Sequence, residues 1–219
     1  MDSSIDVLLQ AGTAVVADAF DAMALPPPVL DNDLFAVRPG GRFAGRAYTV
    51  AGESHASTVL KDPAKLKAID AMPRGCVAVW AGNDIRGSCC FGDLLASAMK
   101  GRGCAGVVVD GGVRDVVYLR ELGLPLFARY RTPAQALGRW RVTGVQVPVR
   151  VSGALADWVA VEPDDVVVAD DDGVIVVPGG VLAEVGKRVR ASSVQETEAR
   201  KDILGGMKLV EALEKYGHL

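Results

Sequence analysis

The feature of this sequence that most constrains its fold is a repeated alternation between short apolar runs and helical segments. Four such runs follow one another between residues 45 and 130: GRAYTVAG, GCVAVWAG, CAGVVVDG and LPLFARY. Asp62 and Pro63 mark the start of the first intervening helix, and Gly103 and Gly123 mark the ends of the next two. Because apolar runs without polar alternation are typical of strands buried on both faces, the pattern predicts an α/β fold with a central parallel sheet.

The C-terminal part of the chain has a different texture. After about Thr132 it contains strand-like runs separated by Gly, Pro and Asp, with no helical stretch before residue 181. This texture predicts a second, antiparallel layer, in which Asp170 to Val174 form a tight turn. One amphipathic helix is predicted over residues 3–23, and a long charged helix followed by a short one over residues 181–219. No linker interrupts the pattern, so we predict a single domain over residues 1–219.

The charge of the chain argues against nucleic-acid binding. Its formal net charge is −3 and its pI about 5.4, whereas proteins that bind duplexes carry a basic face and a high pI. No apolar run approaches the roughly eighteen residues of a membrane helix, and the N-terminus has no basic-then-apolar leader. We therefore expect a cytoplasmic protein that acts on a small molecule and contacts neither nucleic acid nor membrane.

Most reactive side chains have ordinary explanations. The cysteines form no C-x-x-C pair and fall in or beside apolar runs, so we predict buried thiols rather than a metal site at Cys76, Cys89, Cys90 and Cys104. Two histidines are too few for a His-rich metal site or a Ser/His/Asp triad. A Schiff-base aldolase needs a desolvated lysine, and we expect solvated ammonium groups in the helical, polar surroundings of Lys61, Lys65, Lys67 and Lys100.

The segment GDLLASAMKGRGCAGVVVDGGVRD carries an aspartate at each end. Asp93 and Asp115 each precede a helix, so helix capping alone could explain both carboxylates. Arg114 has no such explanation, because it follows a presumed central parallel strand, at the edge of the sheet where ligands bind in α/β folds. Its guanidinium and the free amides of Leu94 and Leu95 could hold a small carboxylate from two sides.

These residues together suggest metal-assisted chemistry on a 2-oxo acid. Asp115 could bind Mg²⁺, or equally Mn²⁺, since both ions suit carboxylate and water ligands. A metal chelated by the keto oxygen and carboxylate of the substrate would stabilise the enolate that forms when the adjacent C–C bond breaks. Asp93 could then act as a general base, directly or through a water, at the substrate hydroxyl.

The aspartate–arginine pattern also resembles a known family. GD followed after twenty residues by RD, in the context GDLLA and GVVVDGGVRD, is similar to the signature of class II 4-hydroxy-4-methyl-2-oxoglutarate/4-carboxy-4-hydroxy-2-oxoadipate aldolases, which belong with the RraA-like proteins. The resemblance extends to VADAFDAM, RPGGRFAGRAYTV, DDDGVIVVP and ETEARKDIL. It implies a swivelling β/β/α fold, assembled as a trimer or a dimer of trimers, with active sites between subunits and the helices of about residues 181–219 packing on a neighbour.

The resemblance also implies roles for individual residues. Asp115 would be the direct metal ligand, Arg114 would bind the pyruvyl group, and Asp93 would order the metal's waters and assist proton transfer. Gly92, Leu94 and Leu95 would form the substrate-binding segment, with the two leucine amides as donors. The family borrows a glutamate from a neighbouring subunit, for which the candidates are Glu196 and Glu198.

The implied reaction is retro-aldol cleavage of a 4-hydroxy-2-oxo acid to pyruvate and a second 2-oxo acid, with oxaloacetate decarboxylation as a side activity. A second function is also implied, because some RraA-like proteins are non-catalytic inhibitors of an RNA-degrading endonuclease. In those proteins we expect the acid-and-arginine pattern to be incomplete, whereas here it is complete. The sequence therefore favours the lyase.

Overall fold

The computed structural model describes residues 3–82 and 85–217, which fold into seven α-helices and eleven β-strands. The helices are α1 (Ser3–Ala11), α2 (Thr13–Asp21), α3 (Pro63–Asp70), α4 (Asp93–Arg102), α5 (Val116–Leu122), α6 (Leu182–Leu204) and α7 (Leu209–Tyr216). The strands are β1 (Phe35–Ala36), β2 (Phe43–Ser54), β3 (Val77–Ala81), β4 (Cys89–Phe91), β5 (Gly106–Val113), β6 (Leu126–Arg131), β7 (Trp140–Val145), β8 (Val149–Ser152), β9 (Trp158–Val161), β10 (Val166–Asp170) and β11 (Gly173–Val177).

The predicted mixed α/β architecture is confirmed. Strands β2, β3, β5 and β6 pair in parallel, in that spatial order, and α3, α4 and α5 lie in the connections between them. Antiparallel strands extend this sheet, because β10 pairs with the first part of β2, β11 pairs with β10, and β7 pairs with the last part of β2. Strands β8 and β9 form a separate antiparallel pair. The strands that follow Thr132 therefore pair in antiparallel fashion, as the sequence predicted.

Successive side chains of the central strands point to opposite faces of the sheet and pack into two separate hydrophobic cores. In β3, Ala78 and Trp80 pack into a cluster with helices α3, α4 and α5. Val77 and Val79 face the opposite side, where they meet β8–β9 and the hairpin β10–β11. The outer face of that hairpin packs on α1, α2 and α6 in a third cluster. Both faces of the central sheet are therefore buried, which is why its strands carry no polar alternation.

The N-terminal helix differs from its prediction, because it is interrupted at Gly12. This residue has φ of +92°, and the amide and hydroxyl of Thr13 donate to the Asp170 carboxylate at 2.8 and 2.6 Å. A Cβ at position 12 would lie 2.9 Å from Asp170 Oδ2. The predicted turn at Asp170 thus also holds the start of α2, a contact between residues far apart in the sequence.

Two short strands were not anticipated. Strand β1 has two residues and β4 has three, so neither provides enough positions for a periodic signal.

Within residues 3–82 and 85–217, no helix combines the length and the apolar content required to cross a bilayer.

Replacement of Asp62 by alanine is expected to lower the free energy of unfolding by about 1–2 kcal/mol. Its Oδ1 accepts from Lys65 N at 3.2 Å at the start of α3, and its Oδ2 accepts from Val142 N, also at 3.2 Å, in β7. Both donors lose a partner in the variant. Urea denaturation checks the effect, and Asp70→Ala is the matched control, because Asp70 makes an exposed ion pair worth less than about 1 kcal/mol.

Candidate active site

The two ends of the aspartate–arginine segment meet at one edge of the sheet. Strand β4 pairs in parallel with the end of β5, with Phe91 opposite Val113. Arg114, the residue directly after β5, donates its backbone N–H to Phe91 O at 3.1 Å. Because Gly92 and Asp93 directly follow Phe91, the pairing brings them beside Arg114 and Asp115. The short strand β4 is therefore what assembles the site.

Asp115 lies at the centre of the polar contacts. Its Oδ2 is 3.3 Å from Arg114 Nε and accepts from the Asp93 backbone N–H, also at 3.3 Å. The Arg114 and Asp115 side chains are 41% and 36% exposed, so a ligand has access to both. The other oxygen of Asp115, Oδ1, has no hydrogen-bond partner among the described residues. The carboxylate is thus oriented on one side and open on the other.

Gly92 allows this arrangement by having no side chain. A Cβ at position 92 would lie 2.7 Å from Asp115 Oδ2 and 3.3 Å from Arg114 Nε. Real Cβ contacts are essentially never shorter than 3.0 Å, so an alanine would displace the carboxylate. The glycine of the GD pair therefore has a steric reason, although its prediction as a substrate-binding residue stays a prediction.

Helix capping does not account for Asp115. This residue occupies the N-cap position of α5 with φ of +58°, but its side chain makes no capping hydrogen bond there. Asp93 is the first residue of α4, and its Oδ1 accepts from Leu94 N at 2.7 Å. The Leu94 amide is consequently already engaged, and a substrate carboxylate would have to compete with Asp93 for it. The amide of Leu95 forms no such contact among the described residues.

Two hollows open on either side of Arg114. The larger has a volume of about 410 Å³ and extends between the start of α4 and the start of α3, with Leu95, Phe91 and Leu66 on its apolar walls. The smaller, of about 380 Å³, contains Asp115 and Arg131. Arg114 lines both. The sequence did not indicate a role for Arg131, because it is the last residue of β6 and belongs to no motif.

The donor set of the site fits a magnesium-like ion. Mg²⁺ is commonly bound by one or two protein carboxylates, and it takes its other ligands from water and substrate. Asp115 offers a partly exposed carboxylate whose Oδ1 has no hydrogen-bond partner among the described residues, while its Oδ2 accepts from the backbone N–H of Asp93. Among the described residues no group of three or more His, Cys, Asp or Glu side chains could form a closed metal cage. The fit is therefore to an open site that needs substrate to complete it.

The two C-terminal glutamates lie elsewhere in the chain. Glu196 and Glu198 belong to α6, which packs against α1 and α2. Glu196 pairs with Arg200 at 3.5 Å on its own helix. Among the described residues, those that line the two hollows beside Arg114 include neither glutamate. A contribution to a neighbouring subunit's site stays a prediction for both, and residues 218–219 of the C-terminal segment lie outside the described residues.

The prediction that Lys65 is solvated is wrong. Its side chain was expected to be solvated, but the residue is only 7% exposed and lines the larger hollow. Its Nζ lies 4.9 Å from the centre of the Trp140 ring. Burial lowers the pKa of its ammonium, although the nearby Asp62 acts in the opposite direction. A signal was available, because Lys65 shares a helical face with the buried Ala68 and Ile69, at spacings of three and four residues.

The prediction of buried thiols is confirmed. All four cysteines are buried and unpaired. Burial raises the pKa of Cys90 to about 12 and also raises that of Cys89. Both thiols border the larger hollow. They are therefore neutral near pH 7 and add no negative charge to it.

The fold and the site define a family. The family model RraA-like (Aldolase/RraA) matches residues 13–176, which include the whole aspartate–arginine segment. The chain belongs to the RraA-like family.

Individual relatives carry different names. The chain is 28% identical over 221 residues to protein DlpA of Legionella pneumophila, an alignment that covers 99% of this chain but 34% of DlpA, so the chain spans about a third of that relative. It is 34% identical over 139 residues to 4-hydroxy-4-methyl-2-oxoglutarate aldolase of Thermus thermophilus, covering 63% of this chain and 76% of the relative. The crystal structure of RraAS2 from Streptomyces coelicolor, described as an unusual member of the RNase ES inhibitor RraA family, superimposes with a TM-score of 0.78 at 25% identity, over 91% of this chain and 96% of that one.

Proposed function

We propose that this protein is a divalent-metal-dependent retro-aldol lyase that cleaves a 4-hydroxy-2-oxo dicarboxylic or tricarboxylic acid to pyruvate and a second 2-oxo acid. The observation that carries the proposal is the Arg114–Asp115 pair, packed against Gly92 where the parallel strands end, with Arg114 lining a 410 Å³ hollow and Asp115 lining the 380 Å³ hollow beside it. The name of the Thermus relative supports the same reaction. Decarboxylation of oxaloacetate is proposed as a side activity.

In the proposed reaction the C3–C4 bond of the substrate breaks. The C4 hydroxyl loses its proton and becomes the carbonyl of the second product, while the bonding electrons pass to C3 and form the enolate of pyruvate. Protonation at C3 then gives pyruvate. Oxaloacetate decarboxylation passes through the same enolate, with CO₂ as the leaving group, so one centre can support both reactions.

Each residue has a separate task in this reaction. Arg114 binds the pyruvyl carboxylate, because a guanidinium matches a planar carboxylate with two parallel donors. Asp93 receives the proton of the C4 hydroxyl, directly or through one water, and returns a proton at C3. Asp115 holds Mg²⁺ or Mn²⁺, and the ion when bound supplies Lewis-acid stabilisation of the enolate.

Release of pyruvate is expected to depend on the divalent ion. Purified protein is incubated with 4-hydroxy-4-methyl-2-oxoglutarate, 4-carboxy-4-hydroxy-2-oxoadipate or oxaloacetate, and pyruvate is followed by a coupled assay with Mg²⁺ and again with EDTA. We expect EDTA to lower the rate on the order of 100-fold and added Mg²⁺ to restore it. Full activity in EDTA would contradict the metal role, and release from oxaloacetate alone would make decarboxylation the main activity.

A second candidate function follows from the description of the Streptomyces relative, which places that protein among inhibitors of an RNA-degrading enzyme. In this case the chain would bind another protein and keep its pocket without catalysis. The complete set of Asp93, Arg114 and Asp115 favours the lyase. Absence of turnover on all three acids, with intact fold, would favour the regulatory role.

We further propose that the protein assembles as a homotrimer or as a dimer of trimers. Sedimentation equilibrium distinguishes these two states.

A further inference from the structure

Lys65 is a buried cation that forms no ion pair with any of the residues that the structure describes. Only 7% of the residue is exposed, and among the described residues its ammonium forms no hydrogen bond or ion pair. The ammonium lies over the face of Trp140, 4.9 Å from the ring centre. The ammonium is not completely enclosed by protein, and the residue lines the 410 Å³ hollow. Burial of an unpaired charge is unfavourable unless a counter-ion arrives.

The protein groups nearest to Lys65 do not supply that counter-ion. Asp62 is close enough to favour the charged lysine, but its two oxygens already accept backbone N–H groups from Lys65 and Val142. Cys89 and Cys90 border the same hollow as neutral thiols. Asp93 also lines the hollow, but among the described residues neither Asp62 nor Asp93 forms an ion pair or a hydrogen bond with the side chain of Lys65. A bound anion would supply the direct ion pair that these two carboxylates do not make.

The hollow holds cations contributed by separate elements. Arg114 follows β5, whereas Lys65 lies on α3, and the apolar side chains Phe91, Leu95 and Leu66 line the same space. Lys61 also reaches the rim but is exposed, as expected for a solvated lysine. A molecule that satisfies both Arg114 and Lys65 needs one carboxylate for each, with an apolar portion between them. A branched dicarboxylic acid has this form.

We infer that Lys65 binds the distal carboxylate of the substrate and thereby selects 2-oxo acids that carry a second carboxylate. This inference rests on the proposed function, in which Arg114 binds the first carboxylate. Lys65 thus determines specificity without taking part in bond breaking. The apolar walls formed by Phe91, Leu95 and Leu66 would accommodate the 4-methyl group of 4-hydroxy-4-methyl-2-oxoglutarate.

A matched pair of substrates tests the assignment. The first is 4-hydroxy-4-methyl-2-oxoglutarate, and the second is 4-hydroxy-4-methyl-2-oxopentanoate, in which a methyl group replaces the distal carboxylate. Both release pyruvate by the same cleavage. In Lys65→Met we expect KM for the dicarboxylate to rise on the order of 30-fold or more, with kcat changed less than threefold, because the charge is lost but the buried apolar chain is kept. For the monocarboxylate we expect KM to change less than threefold.

Lys67→Met is the control, because Lys67 lies on the same helix and is exposed. It removes the same charge from the chain and should leave both KM values unchanged. An equal effect of Lys65→Met on both substrates would overturn the inference, since it would show a general disturbance of the site. Trapping of pyruvate on Lys65 by borohydride would also overturn it, because the lysine would then be a Schiff-base nucleophile.

A binding experiment separates this inference from the proposed function. Titration calorimetry with Mg²⁺ present compares 2-oxoglutarate with 2-oxopentanoate, neither of which can be cleaved by the retro-aldol reaction. We expect the wild type to prefer 2-oxoglutarate by 30-fold or more and Lys65→Met to lose that preference. If no hydroxy acid is cleaved but this preference is found, the lyase proposal fails and Lys65 retains its role. If turnover is found without any preference, Lys65 fails alone.

Discussion

Replacement of Asp115 by asparagine is expected to lower kcat/KM for pyruvate release on the order of 1000-fold. The change removes the negative charge that would hold the metal and that lies 3.3 Å from Arg114 Nε. Asparagine is chosen because Asp115 has φ of +58°, and asparagine adopts this left-handed conformation more readily than alanine. The fold should therefore persist, which circular dichroism and size-exclusion chromatography check.

Asp21→Asn is the matched control for this variant. Asp21 is an exposed aspartate at the end of α2, a helix that packs with α6 on the opposite side of the hairpin β10–β11. Its replacement should leave kcat/KM unchanged. If Asp115→Asn kept wild-type kcat/KM and its dependence on Mg²⁺, Asp115 would not be the metal ligand.

Arg114→Ala should lower kcat/KM by a similar factor. A large part of this loss should be a rise in KM, since the guanidinium binds the pyruvyl carboxylate.

Replacement of Gly52 by alanine is expected to lower the free energy of unfolding by about 3 kcal/mol. A Cβ at this position would lie 1.8 Å from Cζ2 of Trp140, a residue that is 1% exposed and donates from Nε1 to Gly82 O at 3.0 Å. The ring cannot yield without breaking that bond or shifting Lys65. Thermal unfolding should show a fall in Tm of roughly 6–12 °C for a chain of this size.

Gly101→Ala provides the comparison for this glycine. Gly101 lies inside α4, is exposed, and a Cβ there meets no atom within 4 Å. Alanine should stabilise the protein by about 0.5–1 kcal/mol, since glycine is the weaker helix former. A Tm for Gly52→Ala equal to that of the wild type would show that Trp140 has room to move.

The sequence predicted the helices and central strands because their signals are local. Gly103 and Gly123 end α4 and α5 in left-handed conformations, with φ of +78° and +69°, and Asp62 caps α3 as expected. These outcomes depend on backbone sterics and on donors within a few residues. The position of Arg114 and Asp115 at the sheet edge follows in the same way, because a parallel strand places its next residues there.

Other features depended on contacts between distant residues. Asp170 binds the chain directly after the break at Gly12, β4 brings Gly92 beside Asp115, and Lys65 packs over Trp140. None of these pairings has a local signal that specifies its partner. For Lys65 the helical spacing indicated a buried face, but the positive charge suggested a solvated side chain.

By itself, the sequence determined the alternation of elements, the mixed α/β class and the two ends of the aspartate–arginine segment, since periodicity and turn residues act over a few positions. Only the tertiary structure decided which carboxylate oxygen of Asp115 accepts hydrogen bonds within the protein and which lysine is buried. The physical reason is that solvation and hydrogen-bond partners depend on how elements that are distant in the sequence pack together. In this protein that packing brings α3, β4 and α4 around one hollow.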